Sequence, residues 1–227
     1  AWAKIDSIRK LSMPLQQEIW KKEMEYMEEA PVSPVWMDRL LLFASMMKYE
    51  TIMPYKEEVK KLYARMSEAD KQTDDGQEIT TYVYPPTTVG IGDMMVDGDL
   101  YDVNDSLHHI SEFKGKFILL DFWSSGCGPC VESIPEMEKV MDLYKDKITV
   151  ISISEDPKAR WKEYIKTKGM GGNQWNELRK GRTGLALNYQ VRGIPHYVLI
   201  APDGKIQDVW SGYGSGSLLG QVEKNLK

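Results

Sequence analysis

"KFILLDFWSSGCGPCVESIP", residues 116–135, decides the fold. Its first half is an apolar run of buried-strand length. Its second half holds both cysteines of the 227-residue chain, Cys127 and Cys130, just where a helical apolar repeat begins with Ile134, Met137, Val140, Met141 and Tyr144. A strand that feeds directly into a helix puts the thiols at the helix's first turn. Backbone N–H groups there lack internal partners and the helix dipole is positive. A thiolate on Cys127 is therefore stabilised, and its pKa falls from ~8.5 into the range of about 3.5–7.5. Cys130, three residues on, shares nearly the same helical face and reaches Cys127 without backbone movement. Pro129 is tolerated because first-turn N–H groups are unpaired in any case.

Lowering a thiol pKa from ~8.5 to ~7 raises the thiolate fraction at neutral pH roughly 15-fold, and the accompanying loss of nucleophilicity takes back about fivefold. The second thiol, which resolves a mixed disulfide at intramolecular effective concentration, therefore contributes more than the activation of the first. Two other uses of the pair compete with redox chemistry. A zinc site needs four ligands, and the remaining soft ligands His108, His109 and His196 have no His-x₃₋₅-His spacing. A structural disulfide across so small a loop stabilises little. Redox chemistry is the reading these residues favour, and no metal or cofactor is called for.

Working outward, "ITVISIS" and "HYVLIAPDGKIQDVW" read as further strands, the latter a hairpin turning at Asp203 and Gly204, and "PKARWKEYIKTK" reads as a helix between them. "LYDVNDSLHHI" reads as a hairpin around Asn104 and Asp105. Strands alternating with helices imply an α/β sheet covered on both faces. "SGYGSGSLLG" lacks the lysine of a phosphate loop and reads as a flexible lead into a Ser-capped helix.

Residues 1–88 carry a different grammar. A helix opens at Ser12 and Pro14 with Leu15, Ile19, Trp20, Met24 and Met27 as one apolar stripe. A second opens at Ser33 and Pro34, a third near Thr51 and Pro54, and a short fourth carries Ile79, Tyr82 and Val83 up to Pro85. The domain boundary is placed near residue 88, giving a small all-α helical domain (1–88) and an α/β domain (89–227).

Composition narrows the function. With 42% hydrophobic and 28% charged residues the chain supports real cores, and a formal net charge of −5 without a dense Lys/Arg run excludes the electrostatic footprint of nucleic-acid binding. No apolar run approaches 18 residues, so no membrane-spanning segment is expected. The start at Ala1 fits a processed product or an excised fragment and leaves room for a lipid or signal anchor before residue 1.

"LLDFWSSGCGPC" followed by "VRGIPHYVLIAPDGKI" resembles the thioredoxin superfamily, and more narrowly its TlpA/ResA-like thiol-disulfide oxidoreductases, over about residues 89–227. An acidic helical region ahead of such a domain is similar to Bacteroidetes-type secreted or lipid-anchored members. The resemblance implies a thioredoxin-like fold, a central mixed sheet flanked by helices, and a periplasmic or otherwise extracytoplasmic enzyme of cell redox homeostasis, with or without a membrane anchor. Its partners would be protein disulfide substrates and an upstream thiol reductant. Cys127 would be the attacking thiol and Cys130 the resolving one. Pro195 would be the family's cis-proline, and the main chain of Ile194 would pair with substrate beside Gly126 and Trp123. Trp123 would also pack under the active-site helix. Asp121, a carboxylate in a buried strand where desolvation raises its pKa, would exchange the Cys130 proton through a water; the plain alternative is a strand-end carboxylate that reaches solvent.

Two positions depart from the family pattern. Ser133 stands where many relatives have a glutamate, which shifts acid–base duty to Asp121. Gly126 replaces a bulky tryptophan, which is expected to open the surface around Cys127. His196 is a candidate for substrate contact or for a plain strand-face histidine. The competing functions are a partner-binding or scaffolding protein with an accessory thioredoxin-like domain, and a peroxiredoxin-type peroxidase. The peroxidase reading is disfavoured by Ser124, where the Thr-x-x-Cys signature needs threonine.

Overall fold

In the computed structural model residues 2–178 and 183–226 are described, and the chain divides into two compact units, Ala1–Pro85 and Pro86–Lys227. Among the described residues no helix is long and apolar enough to cross a membrane.

The first unit is helical: α1 Trp2–Glu29, α2 Pro34–Met46, α3 Lys56–Tyr63, α4 Glu68–Gln72 and α5 Asp74–Val83. Side-chain caps start three of these helices. Ser33 accepts from Trp36 N, Ser67 from Asp70 N, and Thr73 from Gly76 N. Met24, Leu40, Phe43, Met53, Leu62 and Ile79 form the centre of its core.

Several expectations for this unit need correcting. The first helix does not open at Ser12 and Pro14 but runs through Pro14 from Trp2. Ile5, Ile8 and Leu11 carry the apolar repeat upstream, and one proline removes only its own N–H from the ladder. The single stripe also separates into two faces. Met24 and Met27 are buried, whereas Leu15 and Ile19 are 65% and 54% exposed, because nine residues place Leu15 about 180° around the helix from Met24. The third helix starts at Lys56 rather than near Thr51, and the expected short helix up to Pro85 is α5, preceded by α4, which was not foreseen.

The second unit contains β1 Leu100–Tyr101, β2 Leu107–His108, a 3₁₀ turn Ile110–Phe113, β3 Phe117–Trp123, α6 Gly128–Tyr144, β4 Ile148–Ser154 and α7 Lys158–Lys168. These are followed by β5 Asn173–Trp175, α8 Leu185–Asn188, β6 His196–Ile200, β7 Ile206–Ser211 and α9 Ser217–Asn225. Strands β1 and β2 form the expected small hairpin. The main sheet has the order β5-β4-β3-β6-β7, parallel between β3, β4 and β5 and antiparallel from β3 through β6 to β7. This is the mixed sheet flanked by helices that the resemblance implies. At the β6–β7 turn, Gly204 adopts φ +89°, a conformation that suits glycine. Strand β5 and helix α8 were not foreseen: three and four residues are too few for periodicity to register.

Alternation along β3 assigns its side chains. Ile118, Leu120 and Phe122 join one core with Ile151, Ile153, Val198 and Ile200. Leu119 joins another with Tyr197 and Leu199, covered by Met137 and Val140 of α6 and Leu218 and Val222 of α9. Asp121 shares the face of Leu119 and so lies on the side covered by α6. The lead into α9 is not Ser-capped. Glu136 of α6 accepts instead from Leu219 N (2.7 Å), Gly216 N (3.0 Å) and the Tyr213 hydroxyl (2.8 Å), a carboxylate at a positive helix end.

Candidate active site

Strand β3 is central in the sheet and buried, so the residues following Trp123 emerge at the sheet's C-terminal edge, and α6 begins at once. Cys127 is the N-cap of α6, with Sγ accepting from Cys130 N at 3.2 Å, so the first-turn position expected for the pair is where the structure puts it. The two sulfurs are joined as a disulfide, with Cα atoms 5.2 Å apart. Burial separates the two residues. Cys130 is 2% exposed and packs on Trp123, Trp161 and Ile165, whereas Cys127 is half-buried.

The Ile194–Pro195 peptide bond is cis, and the Ile194 carbonyl oxygen lies 3.6 Å from Cys127 Sγ. Cys127 and Ile194, distant in sequence and both only partly buried, thus meet at one surface, with Pro195 buried next to them. Trp123 does not share it. At 2% exposure it forms the floor beneath the dithiol, tilted against Tyr164, and is not placed to touch a substrate. Gly126 is exposed, yet the surface beside Cys127 is not open as expected, because the Arg160 guanidinium occupies the space a side chain at 126 would fill, with Nη2 3.1 Å from the ideal Cβ position.

Asp121 is 7% exposed and opposes Ser152 on β4 and Tyr197 on β6. Burial pushes its carboxyl up to about 7, and the hydrogen bond from Ser152 only partly offsets this. A cavity of about 20 Å³ lies between Asp121, Cys130, Ser133, Ser152 and Gln174, a volume sufficient for one water molecule. Asp121 and Cys130 therefore border the same small space. Ser133 is buried there, its hydroxyl donating to the Cys130 carbonyl at 2.8 Å.

His196, next to Pro195, is buried and not on the surface. Its Nδ1 lies 2.7 Å from Ser211 Oγ, bonding β6 to β7. Burial lowers its pKa, with partial compensation from the Tyr189 main chain. His108 and His109 bond to Glu112 and Asp99, and among the described residues no three His, Cys, Asp or Glu side chains are grouped to hold a metal ion.

Sequence reasoning missed Ser152, Gln174, Asp156 and Arg160. Ser152 was discoverable: it breaks the apolar run of "ITVISIS" on the strand paired with β3. The link of Asp156 and Arg160 to the dithiol loop left no local signal, because their common partner there, Ser125, lies 31 and 35 residues upstream.

A central strand that delivers a Cys-x-x-Cys pair to a helix N-terminus beside a cis-proline loop, within a mixed five-stranded sheet, defines the thioredoxin class of domain. Residues 115–206 form a domain that matches the thioredoxin-like family. It is similar to the thioredoxin-like protein YneN of Bacillus subtilis, 26% identical over 131 residues that make up 57% of this chain and 77% of that protein. It is similar also to the thiol-disulfide oxidoreductase ResA of Geobacillus kaustophilus, 26% identical over 137 residues, 59% of this chain and 76% of that protein. Among solved structures, the thioredoxin domain of a thiol-disulfide oxidoreductase from Bacteroides vulgatus superposes with a TM-score of 0.54 at 29% identity, covering 62% of this chain and all of that one.

Proposed function

We propose that this chain is a thiol-disulfide oxidoreductase that reduces protein disulfides outside the cytoplasm. The observation that carries the reading is the asymmetry of the pair: a half-buried Cys127 at a helix N-terminus, linked to a buried Cys130 that borders the same cavity as Asp121.

In the dithiol form the Cys127 thiolate attacks one sulfur of a substrate disulfide. A Cys127–substrate disulfide forms, the substrate S–S bond breaks, and the other substrate sulfur leaves as a thiolate. The Ile194 main chain beside Pro195 pairs with an extended substrate segment and aligns that sulfur. Asp121, as carboxylate, takes the Cys130 proton through a water in the cavity. The Cys130 thiolate then attacks Cys127 Sγ, which forms the internal disulfide and releases the second substrate thiol. A thiol reductant restores the pair by the reverse exchange and supplies both electrons.

Gly128 and Pro129 between the cysteines support the reducing direction, since they match the thioredoxin dipeptide. The similarity to the TlpA/ResA branch supports the location and the division into a helical module (1–88) and a catalytic domain (89–227). Equilibration with glutathione redox buffers tests the direction. A potential near the thioredoxin value of about −270 mV supports reduction, and one near about −120 mV overturns it.

A further inference from the structure

The surface beside Cys127 carries a positive charge held in place by the fold. Arg160 Nε donates to Ser125 Oγ at 2.8 Å and lies 3.7 Å from Asp156 Oδ1. Asp156 is itself buried. Its Oδ2 accepts from Ser125 N at 2.6 Å and from Ser154 Oγ at 3.4 Å, and its carbonyl accepts from Asn176 at 2.9 Å. The cluster ties the end of β3 to the end of β4 and fixes the guanidinium over Gly126, the residue before the attacking cysteine.

Among the described residues only Nε is engaged. The two terminal amino groups, which grip a carboxylate with two parallel hydrogen bonds, stay available on a side chain that is 59% exposed. Arg160 also belongs to a basic helix in an acidic chain. Helix α7 carries Lys158, Arg160, Lys162, Lys166 and Lys168 against Glu163, while the whole chain has a formal net charge of −5. Lys158 and Lys162 are both committed to Asp105, at 2.8 and 2.7 Å, and Lys168 lies over the Tyr164 ring. Of these cations, Arg160 is the one held against the dithiol loop.

We infer that Arg160 selects disulfides carried on acidic protein segments, a conclusion that rests on the oxidoreductase reading above. An Asp or Glu beside the substrate cystine docks on the Arg160 terminal amino groups while Cys127 attacks the sulfur. Gly126 permits this by leaving the space to the guanidinium. A cation that merely made Cys127 more acidic would change the rates on all disulfides together. Selection changes their ratio.

The test uses the full chain and two disulfide-bonded peptides that differ only in Asp/Glu against Asn/Gln next to the cystine, with kcat/KM measured for each. The expected preference for the acidic peptide is about fivefold at low ionic strength, as for a single exposed ion pair, and shrinks in high salt. It falls to near one in Arg160→Gln, inverts in Arg160→Glu, and falls in Gly126→Trp, where the indole displaces the guanidinium. A ratio near one in the unaltered protein, or a preference that survives Arg160→Gln, overturns the inference while leaving the oxidoreductase reading standing. Failure of the unaltered protein to reduce either peptide overturns both.

Discussion

Ser152 Oγ donates to Asp121 Oδ2 at 3.2 Å across the parallel pairing of β4 with β3, and this neutral hydroxyl faces a carboxyl buried under the active-site helix. Among the described residues no counter-charge holds Asp121 ionised, so it changes protonation near pH 7 and can both take and return a proton there. Resolution of the mixed disulfide should accelerate as pH rises through about 7. Asp121→Asn should slow that step by about 100-fold and remove the pH dependence. Ser152→Ala, which deletes the bond that lowers the pKa, should move the transition to higher pH. Stopped-flow fluorescence with a model disulfide reads all three.

The same carboxyl leaves a mark on stability. Its folded-state pKa is raised, so the folded protein holds the proton more tightly than the unfolded chain. The stability this provides is complete below the unfolded value of about 4 and is lost as pH rises through about 7, a loss of no more than about 4 kcal/mol. His196 acts in the opposite sense. Burial depresses its pKa, so stability is lost as pH falls below the unfolded value of about 6.5. Thermal melts of Asp121→Asn between pH 5 and 8 should therefore show stability rising with pH, where the parent shows a flatter or falling profile.

Glu136 gathers three donors at the start of α9. Burial pushes its carboxyl up, but the hydrogen bonds from Leu219 N, the Tyr213 hydroxyl and Gly216 N outweigh burial and hold its pKa below the ordinary value. Glu136→Gln should cost about 1–3 kcal/mol at neutral pH, read by urea denaturation. Because the pKa is lowered in the folded state, this stability is present above the unfolded pKa and disappears as pH falls through the folded one. The difference between variant and parent should vanish in acid.

Ser211 Oγ, 2.7 Å from His196 Nδ1, is the polar link between β6 and β7 behind the Pro195 loop. Ser211→Ala leaves a buried ring nitrogen without that partner and should cost about 1–3 kcal/mol in the same denaturation assay.

How much of this was legible beforehand depended on the range of each signal. Cys127, Cys130 and the strand-to-helix switch are local, so "LLDFWSSGCGPC" was enough to place the dithiol at a helix N-terminus. The burial of Asp121 followed from its apolar neighbours on one strand. Contacts between distant segments were not legible: Arg160 standing over Gly126 and Glu136 capping α9 depend on how α7, α6 and α9 pack, whereas the packing of Trp123 under the active-site helix was expected and only its part in substrate contact was not met. The α1 stripe misled for a related reason. Apolar residues spaced loosely along a helix can lie on opposite faces, and Leu15 and Met24 do.

The central claim is that Cys127 attacks and Cys130 resolves. Its most direct test is mass spectrometry of the Cys130→Ser variant after reaction with a disulfide-bonded protein substrate. The expected result is a stable mixed disulfide at Cys127, absent from Cys127→Ser. Disulfide reduction that persists without any adduct at Cys127, or in a variant lacking both cysteines, would contradict the account.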